Sequence, residues 1–377
     1  MSLPKSAPSA LNTHGYVRLV GAVAAIVLVG LATACGGGTN HPAVVTHNAY
    51  ITLPQPGSVQ LLRIDDSTGE ITAGTQTPPT NGLTPNGLAL HPSKKFLYAA
   101  NSAGDSISLF NIAADGTLTV SGNSTPAGSA PYAAVIDPSG QFLLVSNTLS
   151  DNISVFSINS GTGALTPAGS PVFAHLGPTA MVIAPNGDFV YVTNPLGYVT
   201  AFSFSGGVLT EVPGSPFPAG AGVSALAVDA NEQFLYTANT TANNVSGFAI
   251  QASGALQPLQ GSPYTSASGT GPSAIAIDPA NSIVYVTTPG SSFSIWAFSI
   301  TSGTGVLKTV SGSPFNLLSG GGLFLVMEPR GNFFYGANPS TAKIAGYKYN
   351  SGSGTPAAIT NSPFTTASTP GQMVIVP

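Results

Sequence analysis

The chain has 377 residues, of which only 6% are charged, against about 25% in an average soluble protein. With 45 Gly, 32 Pro and 43% hydrophobic residues it can bury a large core and is not disordered in character. Nine Lys+Arg and a net charge of −4 exclude the basic stripe of a nucleic-acid binder, and the single cysteine, Cys35, excludes internal disulfides and cysteine-rich zinc sites.

Residues 1–18 are polar and carry Lys5 and Arg18, and the 13-residue run Leu19–Leu31 that follows is uncharged. That length suits the apolar region of a secretory signal and is short for a membrane span. Ala32-Thr33-Ala34-Cys35 resembles the lipobox of bacterial lipoproteins, with Ala32 where Leu is commonest. The resemblance implies a signal peptide over 1–34, cleavage before Cys35, lipidation of that cysteine and a Gly-rich tether over 35–45. The alternatives are plain secretion after Ala34 or an uncleaved anchor; each places the remainder outside the cytoplasm. The cleaved chain keeps seven Lys+Arg against 13 Asp+Glu, a net charge of −6.

From residue 46 onward the sequence repeats. HPSKKFLYAAN at 91–101 recurs at 137–147, 184–194, 229–239, 278–288 and 328–338, at offsets of 46, 47, 45, 49 and 50. A second anchor is an aromatic residue at Phe110, Phe156, Phe202, Phe248, Phe298 and Tyr347. A third is Ser-Pro-aromatic, as in Ser215-Pro216-Phe217, Ser262-Pro263-Tyr264, Ser313-Pro314-Phe315 and Ser362-Pro363-Phe364.

Each unit reads as four strands. In the unit starting at Gly271, Ser273–Ile277 is small and apolar, as a strand covered on both faces should be. Asp278-Pro279-Ala280-Asn281 is a turn, and Ile283–Thr287 is β-branched and aromatic. Ser294–Ile300 alternates polar with apolar, which predicts a half-exposed strand. After a turn at Ser302-Gly303-Thr304-Gly305, Val306–Phe315 is the last strand, held to a sheet edge by Pro314.

Four-stranded units of this length predict an all-β, seven-bladed β-propeller over 46–377, since six complete units are joined by a split one. Tyr50–Leu53, Ser58–Ile64 and Ile71 onward supply three strands of the split unit. Met373–Val376 supplies its innermost strand from the other end of the chain and closes the ring.

Tyr191-Val192-Thr193-Asn194, the turn before it, the S-x-x-x-F strand, the TG-x-L hairpin and the GSPF edge together resemble the YVTN-repeat, lactonase-family propellers. That family includes bacterial 6-phosphogluconolactonases and cycloisomerase relatives, and the resemblance implies a possible lactone hydrolase. In family enzymes histidines, arginines and acids gather at the axial mouth, often with a Pro-His pair opening an innermost strand. Here those pairs are Pro85-Asn86, Pro131-Tyr132, Pro178-Thr179 and Pro272-Ser273, without a histidine.

The repeat assigns each ionisable residue a face. Lys94, Lys95, Asp188, Glu232 and Arg330 fall in turns between first and second strands. The mouth loops on the other face hold Asp105, Asp151 and His175, with Lys343 nearby. His175 is the candidate general base, set against a plain loop histidine; Asp105, Asp151 and Lys343 are the candidate ligand contacts. His91 replaces the turn aspartate of other units and reads as structural, and His41 and His47 read as linker residues. The Asn residues ending second strands (Asn101, Asn147, Asn194, Asn239, Asn338) are expected to cap their own loops rather than face a ligand. Asp65-Asp66-Ser67-Thr68-Gly69-Glu70 looks like a calcium loop but aligns with the hairpin turns. Trp296 reads as blade packing. The expectation is a monomeric, envelope-held binding or scaffold propeller. It would take a small molecule or protein at its mouth, with no metal, cofactor or nucleic acid; a sugar-lactone hydrolase is the alternative.

Overall fold

The computed structural model describes residues 45–80, 84–265, 271–288, 294–316, 322, 324–338 and 341–377. The signal segment, Cys35 and nearly all of the tether lie outside them, as does His41. The propeller unit runs from residue 44 to 377 and is built of seven antiparallel sheets.

Blade 1 joins the two ends of the repeat. Its strands, from the rim inward, are Ile71–Gln76, Ser58–Asp65, Thr46–Leu53 and Met373–Ile375. Ala49 pairs with Ile375, Tyr50 with Val374 and Ile51 with Met373, so the C-terminal strand closes the first blade as the repeat requires. Blades 2 to 7 follow in chain order. Their innermost strands are Pro85–Leu90, Pro131–Ile136, Met181–Ile183, Val223–Val228, Ala274–Ile277 and Leu325–Met327. Each packs on the next, and Leu325–Met327 packs on Met373–Ile375, so the inner strands encircle one axis without a free edge.

Two strand readings change. The third strand was expected to be half exposed, yet Ser294–Phe298 is buried throughout. Neighbouring blades cover both faces, and its polar positions are consumed inside. Asn101 Nδ2 donates to Ser108 Oγ at 2.9 Å and Asn147 Nδ2 to Ser154 Oγ at 2.9 Å. Asn194 Oδ1 accepts from Thr200 at 2.8 Å, and Asn239 Nδ2 donates to Ser246 at 2.9 Å. Each of these four amides therefore bonds a third-strand hydroxyl, and Asn194 also bonds the Ala174 and Leu176 carbonyls of the preceding linker, rather than the backbone of its own loop. The outer strand is also not continuous: Leu307–Thr309 and Phe315–Asn316 both pair with Ser294–Ile300, and the segment between them loops out. There Ser313 Oγ accepts the Ala297 N–H at 3.0 Å, replacing a ladder bond with a side-chain one. Ser215, Ser262 and Ser362 repeat the device on Ala201, Gly247 and Gly346.

The seams between blades explain two further repeat positions. The buried second-strand tyrosine of one blade donates its hydroxyl to the hairpin glycine carbonyl of the next. Tyr50 reaches Gly116 at 2.9 Å, Tyr98 Gly163 at 2.7 Å, Tyr191 Gly254 at 3.1 Å and Tyr236 Gly305 at 2.6 Å. Tyr285 reaches Gly354 at 3.0 Å and Tyr335 Gly69 at 2.8 Å. Only blade 3 departs, with Leu144 in the tyrosine's place. The glycine is needed for closeness as well as for φ: a Cβ on Gly254, at φ +82°, would lie 2.3 Å from the Phe189 ring.

His47 is not a linker residue. It stands in Thr46–Leu53, and its Nδ1 lies 2.5 Å from Asp66 Oδ1, while Arg330 donates to Asp66 Oδ2 across the seam between blades 7 and 1. His91 is structural, bonding Ser93 at 2.7 Å and the Gly140 carbonyl of the next blade at 2.9 Å. Trp296 is fully buried in the packing between blades 5 and 6.

Candidate functional site: the axial mouth

The loops entering each inner strand and leaving each second strand form the mouth. The sequence places four ionisable residues in or beside them, and the structure commits three. The Ala130 N–H donates to Asp105 Oδ1 at 2.8 Å and the Gly177 N–H to Asp151 Oδ1 at 2.8 Å. Both aspartates sit in the left-handed region, at φ 45° and 55°, a conformation Asp tolerates better than most residues. They act as clamps between a second-strand loop and the linker into the next blade.

His175 lies at the rim, not on the axis. Its ring rests 5.2 Å from Phe173, at the end of an outer strand, and its Nε2 is 2.9 Å from Glu211 Oε1, on the outer strand of blade 4. Lys343 opens the third strand of blade 7, paired with Asn338 and Thr365, and is half buried. The four candidates are thus not brought together.

What does converge is uncharged. At the heads of successive inner strands stand Asn86, Tyr132, Thr179, Ser224, Ser273 and, from the C-terminal segment, Gln372. Irregular register lifts several of them from the ladder: the pairing steps from Pro85 to Gly87, from Pro131 to Ala134 and from Val223 to Ala225. Such bulges re-aim a side chain, here toward the mouth.

Four members of the ring are tied to protein. Thr179 meets the Thr193 hydroxyl at 2.9 Å. Ser224 and Ser273 donate into the next blade, to Ser273 O at 3.1 Å and Gly322 O at 2.6 Å. Gln372 Oε1 accepts the Leu88 N–H at 2.7 Å. The Asn86 amide and the Tyr132 hydroxyl, by contrast, bond to none of the described residues. They belong to adjacent inner strands drawn together by Gly87, where a Cβ would meet the Tyr132 carbonyl at 2.6 Å. Tyr132 is 43% exposed, but partial desolvation at the mouth still raises its phenol above the ordinary value, so it remains a neutral donor at physiological pH.

Below this ring the channel is apolar. Leu90, Ile136, Ile183, Val228, Ile277, Met327 and Val376 occupy equivalent, half-buried positions. Beyond them, on the opposite face, is a cavity of about 380 Å³ lined mainly by Leu90, Val326, Met327, Val374 and Pro377. Its two polar side chains are engaged, Lys94 with the Pro377 carbonyl and His91 as above. Asp65 lies outside the mouth. It closes a hairpin turn, and hydrogen bonds from the Ser67 hydroxyl and the Thr68 and Ser67 N–H groups hold its carboxyl below the usual range.

Sequence reading marked Asn86 and Tyr132 only by their place after proline. The aligned Pro-x pairs were the signal; the bulge that frees their head groups is tertiary.

Comparison with known proteins agrees with this architecture. The family described as lactonase, seven-bladed β-propeller, matches residues 29–179 and 174–374. No curated protein matches the sequence. Among solved structures, a candidate 6-phosphogluconolactonase of Bacteroides uniformis is 19% identical with a TM-score of 0.76, covering 88% of this chain and 99% of its own. A Lactobacillus plantarum protein is also 19% identical at TM-score 0.76, covering 88% and 100%. The periplasmic gluconolactonase of Pseudomonas aeruginosa is 16% identical at TM-score 0.72, covering 88% and 99%. Repeat, ring closure and family match converge: the chain belongs to the lactonase family of seven-bladed β-propellers.

Proposed function

We propose that the protein is an exported, envelope-held propeller whose axial mouth binds an uncharged, polyhydroxylated ligand of the sugar-lactone class. The observation that carries this reading is a pair of head groups, the Asn86 amide and the Tyr132 phenol, that have no partner among the described residues and stand at the heads of adjacent inner strands. Together they offer donors and an acceptor to hydroxyl and carbonyl groups. A phosphorylated ligand would call for converging Arg or Lys, and Lys343, away from the inner strands, is the single cation of the mouth loops. Leu19–Leu31 followed by Cys35 supports export and lipid anchoring. An envelope location fits an unphosphorylated substrate, as does the name of the P. aeruginosa relative, a periplasmic gluconolactonase.

The mouth is read as binding its ligand without strong turnover. Lactone hydrolysis builds charge on the carbonyl oxygen, and the large catalytic gains come from donors aimed there together with a base near neutral pH. Tyr132 supplies a donor, but the one histidine of the mouth loops is held at the rim by Glu211.

The test is calorimetric titration with D-gluconolactone and its phosphorylated form, with hydrolysis followed in parallel. D-gluconolactone should bind, the phosphorylated form more weakly, and Tyr132→Phe or Asn86→Ala should weaken binding about tenfold, the loss of one hydrogen bond to the ligand. Tighter binding of the phosphorylated lactone would overturn the reading. Turnover abolished by His175→Ala would replace it with the hydrolase alternative. Fractionation tests the anchor: Cys35→Ser should leave the protein soluble or unprocessed, and membrane association at the mature mass would place the anchor elsewhere.

A further inference from the structure

Among the described residues the exposed large apolar side chains are segregated. Leu149, Leu176, Leu196, Phe173, Tyr198 and Tyr132 all lie at the mouth end of blades 3 and 4. The remaining two, Val45 and Val208, lie at the opposite end. Single exposed leucines are ordinary, but a contiguous group marks a binding surface.

The group is contiguous because its loops are bonded to one another. The Leu149 N–H donates to Ser129 O at 3.1 Å, three residues before Tyr132. Thr148 donates to the Pro178 carbonyl at 2.9 Å, joining the Leu149 loop to the Leu176 loop. Asn194 donates to the Leu176 carbonyl at 3.1 Å, joining that loop to the one bearing Leu196. Leu149 and Leu196 are 77% and 64% exposed, while the Leu149 backbone and the Asn194 side chain two residues before Leu196 are tied to neighbouring loops.

The strip is radial. Tyr132 opens an inner strand, Leu149 and Leu196 sit on loops between second and third strands, and Phe173 ends an outer strand. Inner to outer strand is three strand spacings, about 14 Å. The strip is one or two loops wide and starts at the phenol of the axial pair. Its ionisable neighbours are held to the protein: Asp105 and Asp151 each accept a backbone N–H, and His175 with Glu211 closes the outer end as a pair.

We propose that this strip is the tail subsite of the axial site, so that the ligand is an uncharged lactone or polyol head carrying an acyl or alkyl chain. The head meets Asn86 and Tyr132, and the chain runs outward over Leu149, Leu176 and Leu196. Continuity with the axial pair and a width of only one or two loops favour this narrow amphiphile over a protein partner or a second copy of the chain. The proposal rests on the axial-binding reading above.

The experiment measures dissociation constants for uncharged γ-lactones bearing butyl, hexyl, octyl and decyl chains, beside D-gluconolactone. Affinity should rise about two- to fourfold per added methylene until the strip is covered, as expected for apolar area removed from water. Leu149→Ser combined with Leu196→Ser should roughly halve that dependence on a logarithmic scale. Val208→Ser, equally exposed on the other face, should leave it intact. A flat series with D-gluconolactone still binding overturns the tail subsite alone. A rising series without D-gluconolactone binding, and unaffected by Tyr132→Phe, overturns the axial reading instead. A flat series with self-association abolished by the double substitution would make the strip a contact between copies and overturn the proposal.

Discussion

The hydroxyl of Tyr335 donates to the carbonyl of Gly69 at 2.8 Å, across 266 residues of chain, and so latches blade 7 to blade 1. The same bond recurs at five other seams, and beneath it a second-strand side chain fills the space that the glycine leaves, apolar at every latch but that of Gly116, where it is Asn48. Each latch is buried, so its hydroxyl and carbonyl have no water to fall back on. A repeat protein that must close on itself gains from this arrangement, because six of its seven seams are each held by one directional bond.

Tyr335→Phe should therefore destabilise the ring by about 1–3 kcal/mol, the cost of leaving a buried carbonyl unpaired. Urea unfolding followed by circular dichroism measures it. A change within error would mean that the latch is spectator to packing.

The latches also set an alkaline limit. Burial pushes the Tyr50 phenol up to about 12, and raises Tyr98, Tyr191, Tyr236, Tyr285 and Tyr335 further. Unfolded tyrosines ionise near 10, so the unfolded state loses protons first. The stabilisation is present in full below that pH and falls as pH rises toward the folded values. Denaturant midpoints should decline steadily above about pH 10, with the six latch tyrosines ionising only on unfolding. Tyrosinate absorbance in the folded protein near pH 10 large enough to include the latch tyrosines would contradict this.

The C-terminal strand is the second closure. Ending the chain after Ser368 removes the three residue pairs that Met373–Ile375 makes with Ala49–Ile51 and exposes an inner strand edge. The shortened protein should melt well below the full chain or accumulate as aggregate. An unchanged melting temperature would show that the ring does not depend on this strand.

Asp66 is the electrostatic counterpart at the same seam. Its burial opposes ionisation, but bonds from His47 and Arg330 outweigh that and hold the carboxyl below the ordinary range. A carboxyl lowered on folding stabilises above its unfolded pKa and loses that effect as pH falls through the folded value. Asp66→Asn should cost roughly 1–3 kcal/mol at neutral pH and flatten the acid limb of the stability profile. If the wild-type and variant acid limbs coincide, Asp66 is not the group that titrates there.

Fold and closure were legible in the sequence because a repeat forces equivalent residues into equivalent places. Six copies of the turn-and-strand unit that starts at His91 and one split copy define seven blades, and the spare strand at the end has one place to go. The same logic identified the turn at Asp65 and the structural role of His91. It failed where neighbouring blades, not the blade itself, decide the environment. Alternation over Ser294–Ile300 signals a half-exposed strand, yet the adjacent sheets bury it and turn its polar positions into partners for the asparagines. His47 precedes any recognisable repeat residue but pairs with Asp66, contributed by the hairpin of its own blade, and through it with Arg330 from blade 7. His175 lies in a mouth loop by sequence, and only the position of Glu211 shows that it faces the rim. Composition and spacing locate residues along a strand. Which head groups stay unpaired, as at Asn86 and Tyr132, depends on bulges and on contacts between strands far apart in the chain, and those exist only once the ring has closed.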